Sequence, residues 1–104
     1  MQESNQKRAA RLLKPYRKQI DALDNRILKL LGQRFAIVRK VAKIKTEHNL
    51  PSFMYGRVME VREKSVKLAK NYGIDPRFIY HLYSSIIYYS CAVEDAIKAK
   101  QKKK

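Results

Sequence analysis

The sequence predicts an all-α chain of three helices, long, short and medium, that forms an intertwined helical homodimer. Three observations carry this. Apolar residues recur with a helical period along most of the 104 residues. Only three Gly and three Pro occur, which leaves little material for the turns of a sheet protein. A chain this short also buries a limited core by itself, so a second copy is expected.

The first helix carries Tyr16, Ile20, Leu23, Ile27, Leu30, Val38 and Val41 in one series. Pro15 is tolerated in a first turn, and Leu50-Pro51 marks the stop. Roughly 34 residues at about 1.5 Å each give a rod of about 50 Å, well over the ~26 Å diameter of a compact chain of this length. The remaining residues cannot cover such a stripe, so the rod is expected to pair with a rod of another chain. The segment "HNLPSFMYG" reads as a connecting loop. From Arg57 the series Val58, Val61, Ser65, Leu68 and Tyr72 gives a second, short helix, ended by Gly73 in the position favoured for a left-handed cap. Asp75-Pro76 then reads as N-cap and first helical residue of a third helix along Ile79, Leu82, Ile86, Ser90, Val93 and Ile97. The organisation is a basic N-terminal tail at 1–11, a helical domain at 12–97 and a Lys-rich tail at 98–104.

The formal charge is +15, and about half of it lies at the ends, where Lys7, Arg8, Arg11 and Lys14 stand near one terminus and five lysines near the other. Such a surface speeds encounter with any anion and does not choose among nucleic acid, metabolite and acidic partner. Cys91 is the single cysteine, so no internal disulfide can form, and the N-terminus has no apolar run of signal-peptide length. A reducing, cytoplasmic setting is expected, with no membrane association, because no apolar run approaches the ~20 residues of a spanning helix. No internal repeat, metal-ligand spacing, glycine-rich phosphate loop or nucleophile motif is present, so neither metal nor cofactor is expected.

Several polar residues stand where a core should be. Arg34 and Lys45 fall in phase with the apolar series of the first helix, and eleven residues amount to three turns plus about 20°, so both project from one side. A buried unpaired cation costs several kcal/mol, which predicts an anion to meet them. Arg17, seventeen residues before Arg34, lies about 100° around the helix and could reach only a neighbouring copy's strip. Ser90 and Glu94 share the stripe of the third helix, and Arg57 opens the second. Each has a plainer alternative. Arg34 and Lys45 could snorkel to solvent, and Arg17 could be a solvated neighbour of Lys18. Glu94 could pair with Lys98 one turn on, and Ser90 could fill the core while bonding to the preceding turn. The cluster Tyr80, Tyr83, Tyr88, Tyr89 reads as amphipathic packing, although aromatics beside lysines can also stack on bases.

The stretch "LLKPYRKQIDALDNRILKLLGQRFAIVRKVAKIK", a loop with Pro51, Arg57, and "GIDPRFIYHLYSSIIYYSCAVED" together resemble the all-helical chorismate mutase family over about residues 12–97. The resemblance rests on the Arg17–Arg34 and Arg34–Lys45 intervals and on the Leu-Tyr, Ile-Ile and Ser-x-x-x-Glu series of the third helix. It implies an intertwined homodimer with two sites, each built mainly from one chain and completed by Arg17 of the other. It implies chorismate as substrate and its Claisen rearrangement to prephenate, a step of aromatic amino acid biosynthesis, with neither cofactor nor covalent intermediate. Carried over by position, Arg34 and Arg17 would hold the two carboxylates, where a planar guanidinium suits bidentate binding. Lys45 would contact a carboxylate and the ether oxygen, and Glu94, standing where the family has Gln or Glu, would donate to the same oxygen; Arg57 and Ser90 would complete the substrate contacts.

The chain departs from the family pattern in two places. Val58 stands where many members carry a Glu that binds the substrate hydroxyl, and Met54 replaces an acidic loop residue. An aliphatic residue at the position of Val58 is similar to the isochorismate-pyruvate lyase branch, which releases pyruvate to give salicylate, but that branch has Gln at the position of Glu94. The loop length and "SCAVED" favour a mutase. A remoter alternative is a basic helical module that binds nucleic acid, which predicts affinity falling steeply with salt. Against it, Arg34 and Lys45 lie on the core stripe and no reading helix is recognisable.

Overall fold

The computed structural model describes residues 2–102 and consists, among them, of three helices: α1 (Asn5–Glu47), α2 (Tyr55–Asn71) and α3 (Pro76–Lys102). Met1, Lys103 and Lys104, which belong to the expected basic tails, lie outside the described residues. The three-helix layout is as expected, and the boundaries differ in instructive ways.

α1 begins at Asn5, well upstream of Pro15, which sits inside the helix. The start is a capping event that the proline obscures. Ser4 Oγ accepts the backbone N–H of Lys7 at 3.2 Å, the Ser4 carbonyl accepts the N–H of Arg8 at 2.9 Å, and Arg11 pairs with Glu3 at 2.9 Å. Most of the expected N-terminal tail is therefore helical. α1 ends one turn after Lys45 on Asn49, whose φ of 55° is left-handed. The Leu50 N–H reaches the Lys45 carbonyl at 2.7 Å and the Asn49 N–H the Thr46 carbonyl at 3.3 Å, the paired closing bonds of a Schellman motif. α2 closes the same way on Gly73, φ 68°, with Ile74 N–H to the Ala69 carbonyl and Gly73 N–H to the Lys70 carbonyl. Asp75 opens α3 as expected, its Oδ1 accepting the Arg77 N–H at 2.9 Å ahead of Pro76.

The chain divides into two units, Met1–Arg34 and Phe35–Lys104. The first is helical from Asn5 onward, and its apolar series Tyr16, Ile20, Leu23, Ile27 and Leu30 is more than half exposed throughout. The second holds the end of α1 with α2 and α3, the last two packed on each other. Its core is Ala42, Val58, Ala69, Ile79 and Ile87. Burying each of the larger aliphatic side chains contributes about 1.5–3 kcal/mol. The expected faces are right at Val58 and Ile79 and drift elsewhere: Ala42 rather than Val41, and Ala69 rather than Leu68, turn inward. At Ala69, where α2 packs on α3, a small residue lets the two backbones approach closely. Phe35 meets Tyr89 edge to face at 4.9 Å, and the Arg62 guanidinium lies 4.9 Å from the Tyr80 ring while donating to its hydroxyl at 3.3 Å. These contacts absorb part of the tyrosine cluster as packing. No helix among the described residues is long and apolar enough to cross a membrane.

Candidate active site

The second unit places Lys45, in the last turn of α1, against Glu94 of α3. Lys45 Nζ stands 2.8 Å from Glu94 Oε1, and the two side chains are only 18% and 7% exposed. The same ammonium donates to the Ser52 carbonyl at 2.9 Å, from the loop between α1 and α2. The thiol of Cys91, one turn before Glu94, also approaches that carbonyl, at 3.9 Å. Although the ammonium is close, Glu94 Oε1 lacks an aligned hydrogen bond and is sealed from solvent. It therefore keeps acceptor capacity that the fold does not use.

A buried ion pair is weak support for stability, because desolvating both charges offsets their attraction, while stripping one partner costs about 3–5 kcal/mol. A purely structural contact here would be served better by aliphatic packing. What this arrangement offers instead is chemistry: a fixed ammonium and a carboxyl group side by side, where low local dielectric strengthens each interaction with a charge that develops between them. Burial first, then the Glu94 carboxylate, holds the Cys91 thiol above its ordinary range, with Lys45 pulling weakly the other way. That keeps the sulfur a thiol rather than a nucleophile.

The other expected site residues divide. Ser90 is buried next to Cys91 and one turn before Glu94, and its hydroxyl donates to the Ile86 carbonyl at 2.8 Å, the local bond a helical serine favours. Val58 is buried in the core of the second unit. Arg57 turns instead to Glu60 on the outer face of α2 and is 69% exposed, so the structure does not bring it to the Lys45–Glu94 pair. Arg34 is half-buried at the end of the first unit, and Arg17 is exposed within it. The Glu94–Lys98 surface pair is not formed: Lys98 Nζ donates to the Leu50 carbonyl at 2.7 Å. Sequence reasoning missed the Ser52 carbonyl, because a backbone acceptor leaves no trace in residue identity. It also passed over Cys91, although that residue sits one helical turn below Glu94. Among the described residues no group of three or more His, Cys, Asp or Glu could hold a metal ion.

Residues 16–95 match the profile of the family described as chorismate mutase type II. A 4-amino-4-deoxychorismate mutase of Streptomyces venezuelae is 32% identical over 86% of this chain and 86% of its own. The chorismate mutase of Methanocaldococcus jannaschii is 30% identical over 75% of this chain and 79% of its own. The bifunctional chorismate mutase/prephenate dehydratase of Aquifex aeolicus is 36% identical over 83% of this chain, which covers 25% of that longer protein.

Proposed function

We propose, from the premise that this chain belongs to the chorismate mutase type II family, that it converts chorismate to prephenate. The observation that carries this is the buried Lys45–Glu94 pair at 2.8 Å, a fixed ammonium beside a carboxyl group shielded from solvent. The reaction is intramolecular. The ether C–O bond of the enol-pyruvyl group breaks as a C–C bond forms to the ring, and no atom or proton is exchanged with the protein.

As the C–O bond lengthens, negative charge gathers on the ether oxygen, and donors fixed there stabilise the transition state more than the substrate. Lys45 supplies one donor, already oriented by the Ser52 carbonyl. Glu94 supplies a second when its carboxyl is protonated. Arg34 holds one carboxylate of the substrate, and Arg17 from a second copy holds the other. The bent, reactive conformer of the ether is thereby selected, which lowers the barrier further. Arg57 joins by swinging from Glu60 toward the dianion, an exchange that an exposed ion pair, worth at most about 1 kcal/mol, does not resist. The homodimer is supported by the exposed series Tyr16, Ile20, Leu23, Ile27 and Leu30, an apolar stripe of the kind that a second copy buries.

A second substrate has a specific observation behind it. The Streptomyces venezuelae relative, of matching length, is named for 4-amino-4-deoxychorismate. That compound rearranges by the same bond changes, and with Val58 in place of an acid the ring substituent meets an aliphatic side chain instead of a carboxylate. The mutase reading fits these relatives better than isochorismate-pyruvate lysis. The test is to incubate the pure protein with chorismate, 4-amino-4-deoxychorismate and isochorismate separately. Disappearance of chorismate with formation of prephenate is expected, and Arg34→Ala should abolish it while leaving the oligomer intact. Release of salicylate, or turnover of none of the three, overturns the proposal.

A further inference from the structure

Lys98 lies one turn beyond Glu94 on α3, and the two side chains grip successive parts of the same feature. Glu94 holds the side chain of Lys45, and Lys98 holds the backbone that follows, donating to the Leu50 carbonyl at 2.7 Å. Leu50 is itself pinned, because its N–H closes on the Lys45 carbonyl at 2.7 Å beyond the left-handed Asn49. Pro51 then fixes φ in the link from Leu50 to Ser52 and removes much of the freedom that would uncouple them. Ser52 is buried, and its carbonyl receives the Lys45 ammonium at 2.9 Å. We propose that Lys98 is a positioning residue, which clamps the Leu50 carbonyl so that the stiff Leu50-Pro51-Ser52 segment aims Lys45 at the reacting ether oxygen.

The inference rests on the mutase reading for its kinetic consequence and on the tether alone for its structural one. Without the charged donor the Leu50 carbonyl turns to water, the loop gains freedom, and the Ser52 carbonyl no longer fixes Lys45 Nζ. Small misplacements of a group that acts on the transition state cost large factors in rate. Arg retains a donor of sufficient reach, whereas Met keeps the aliphatic stem and loses the donor.

The experiment measures kcat and KM for chorismate in wild type, Lys98→Met and Lys98→Arg, together with amide hydrogen exchange at Leu50 in the absence of substrate. In Lys98→Met, kcat should fall about five- to fiftyfold with KM changed less than about twofold. Leu50 exchange should quicken in the same variant, and Lys98→Arg should recover most of both. An unchanged kcat in Lys98→Met, a loss confined to KM, or Lys98→Arg no better than Lys98→Met overturns the proposal. A wild type inert toward chorismate refutes the mutase reading instead, and the exchange measurement then judges the tether alone: unchanged Leu50 protection in Lys98→Met overturns it.

Discussion

Lys45 accepts three demands at once: it ends a helix, pairs with a buried carboxyl group and is held by a loop carbonyl. Glu94 shows what that placement is for. A carboxyl group can donate to an ether oxygen only while protonated, whereas a side-chain amide donates at any pH. Glu94→Gln should therefore keep chorismate turnover while Glu94→Ala, which has no donor, should lose it, a comparison that steady-state rates of the two variants and the wild type make. Cys91 gives an independent check on the same environment. With its thiol pushed above the ordinary 9.0 by burial and by Glu94, alkylation by iodoacetamide should be slower than for an unfolded peptide at the same pH. Alkylation as fast as in the peptide would mean that the neighbourhood is open to water. At this scale the sequence was informative about charge and silent about partners. A cation and a carboxyl group on two apolar stripes could be read as inward-facing, yet their meeting depends on a backbone carbonyl of Ser52 that no side-chain pattern encodes.

The helices owe their ends to a few residues, and the ends set the site. Asn49 and Gly73 occupy left-handed positions, where a residue with a branched Cβ is strained by about 1–2 kcal/mol. Asn49→Val should therefore lower the thermal midpoint and, because Leu50 and Ser52 follow directly, also weaken turnover; Gly73→Val should lower the midpoint with little effect on rate at temperatures where the fold persists. Asp75 caps α3, and its hydrogen bonds from the Arg77 N–H and guanidinium hold its carboxyl below the ordinary 3.8. Since the folded state binds this proton less readily than the unfolded chain, the contribution is complete above the unfolded value and is lost as pH falls through the folded one. Asp75→Asn should accordingly remove part of the acid sensitivity of unfolding, measured as denaturation midpoints between pH 2 and 6. Gly73 and Asp75-Pro76 were legible because each has one dominant structural use. The start of α1 was not, since Pro15 suits a first turn while the actual cap, Ser4, lies in a polar stretch that resembles a tail.

The first unit has an exposed apolar series, and the second has, among the described residues, a small core of five buried apolar residues. Sedimentation at micromolar concentration should give a dimer, and Ile27→Asp should yield monomer with loss of helical signal; a folded wild-type monomer would contradict the assembly. The three-helix layout was readable because period and punctuation agreed, while the inward turn of Ala42 and Ala69 was not, because alanine is weakly marked by hydrophobic patterning. The account depends throughout on a positive charge kept indoors to meet a developing negative one. Its most direct test is the rate of prephenate formation from chorismate by wild type and by Lys45→Met at matched helical content. The account predicts a loss of at least about a hundredfold in kcat; a Lys45→Met protein that turns over as fast as the wild type would contradict it.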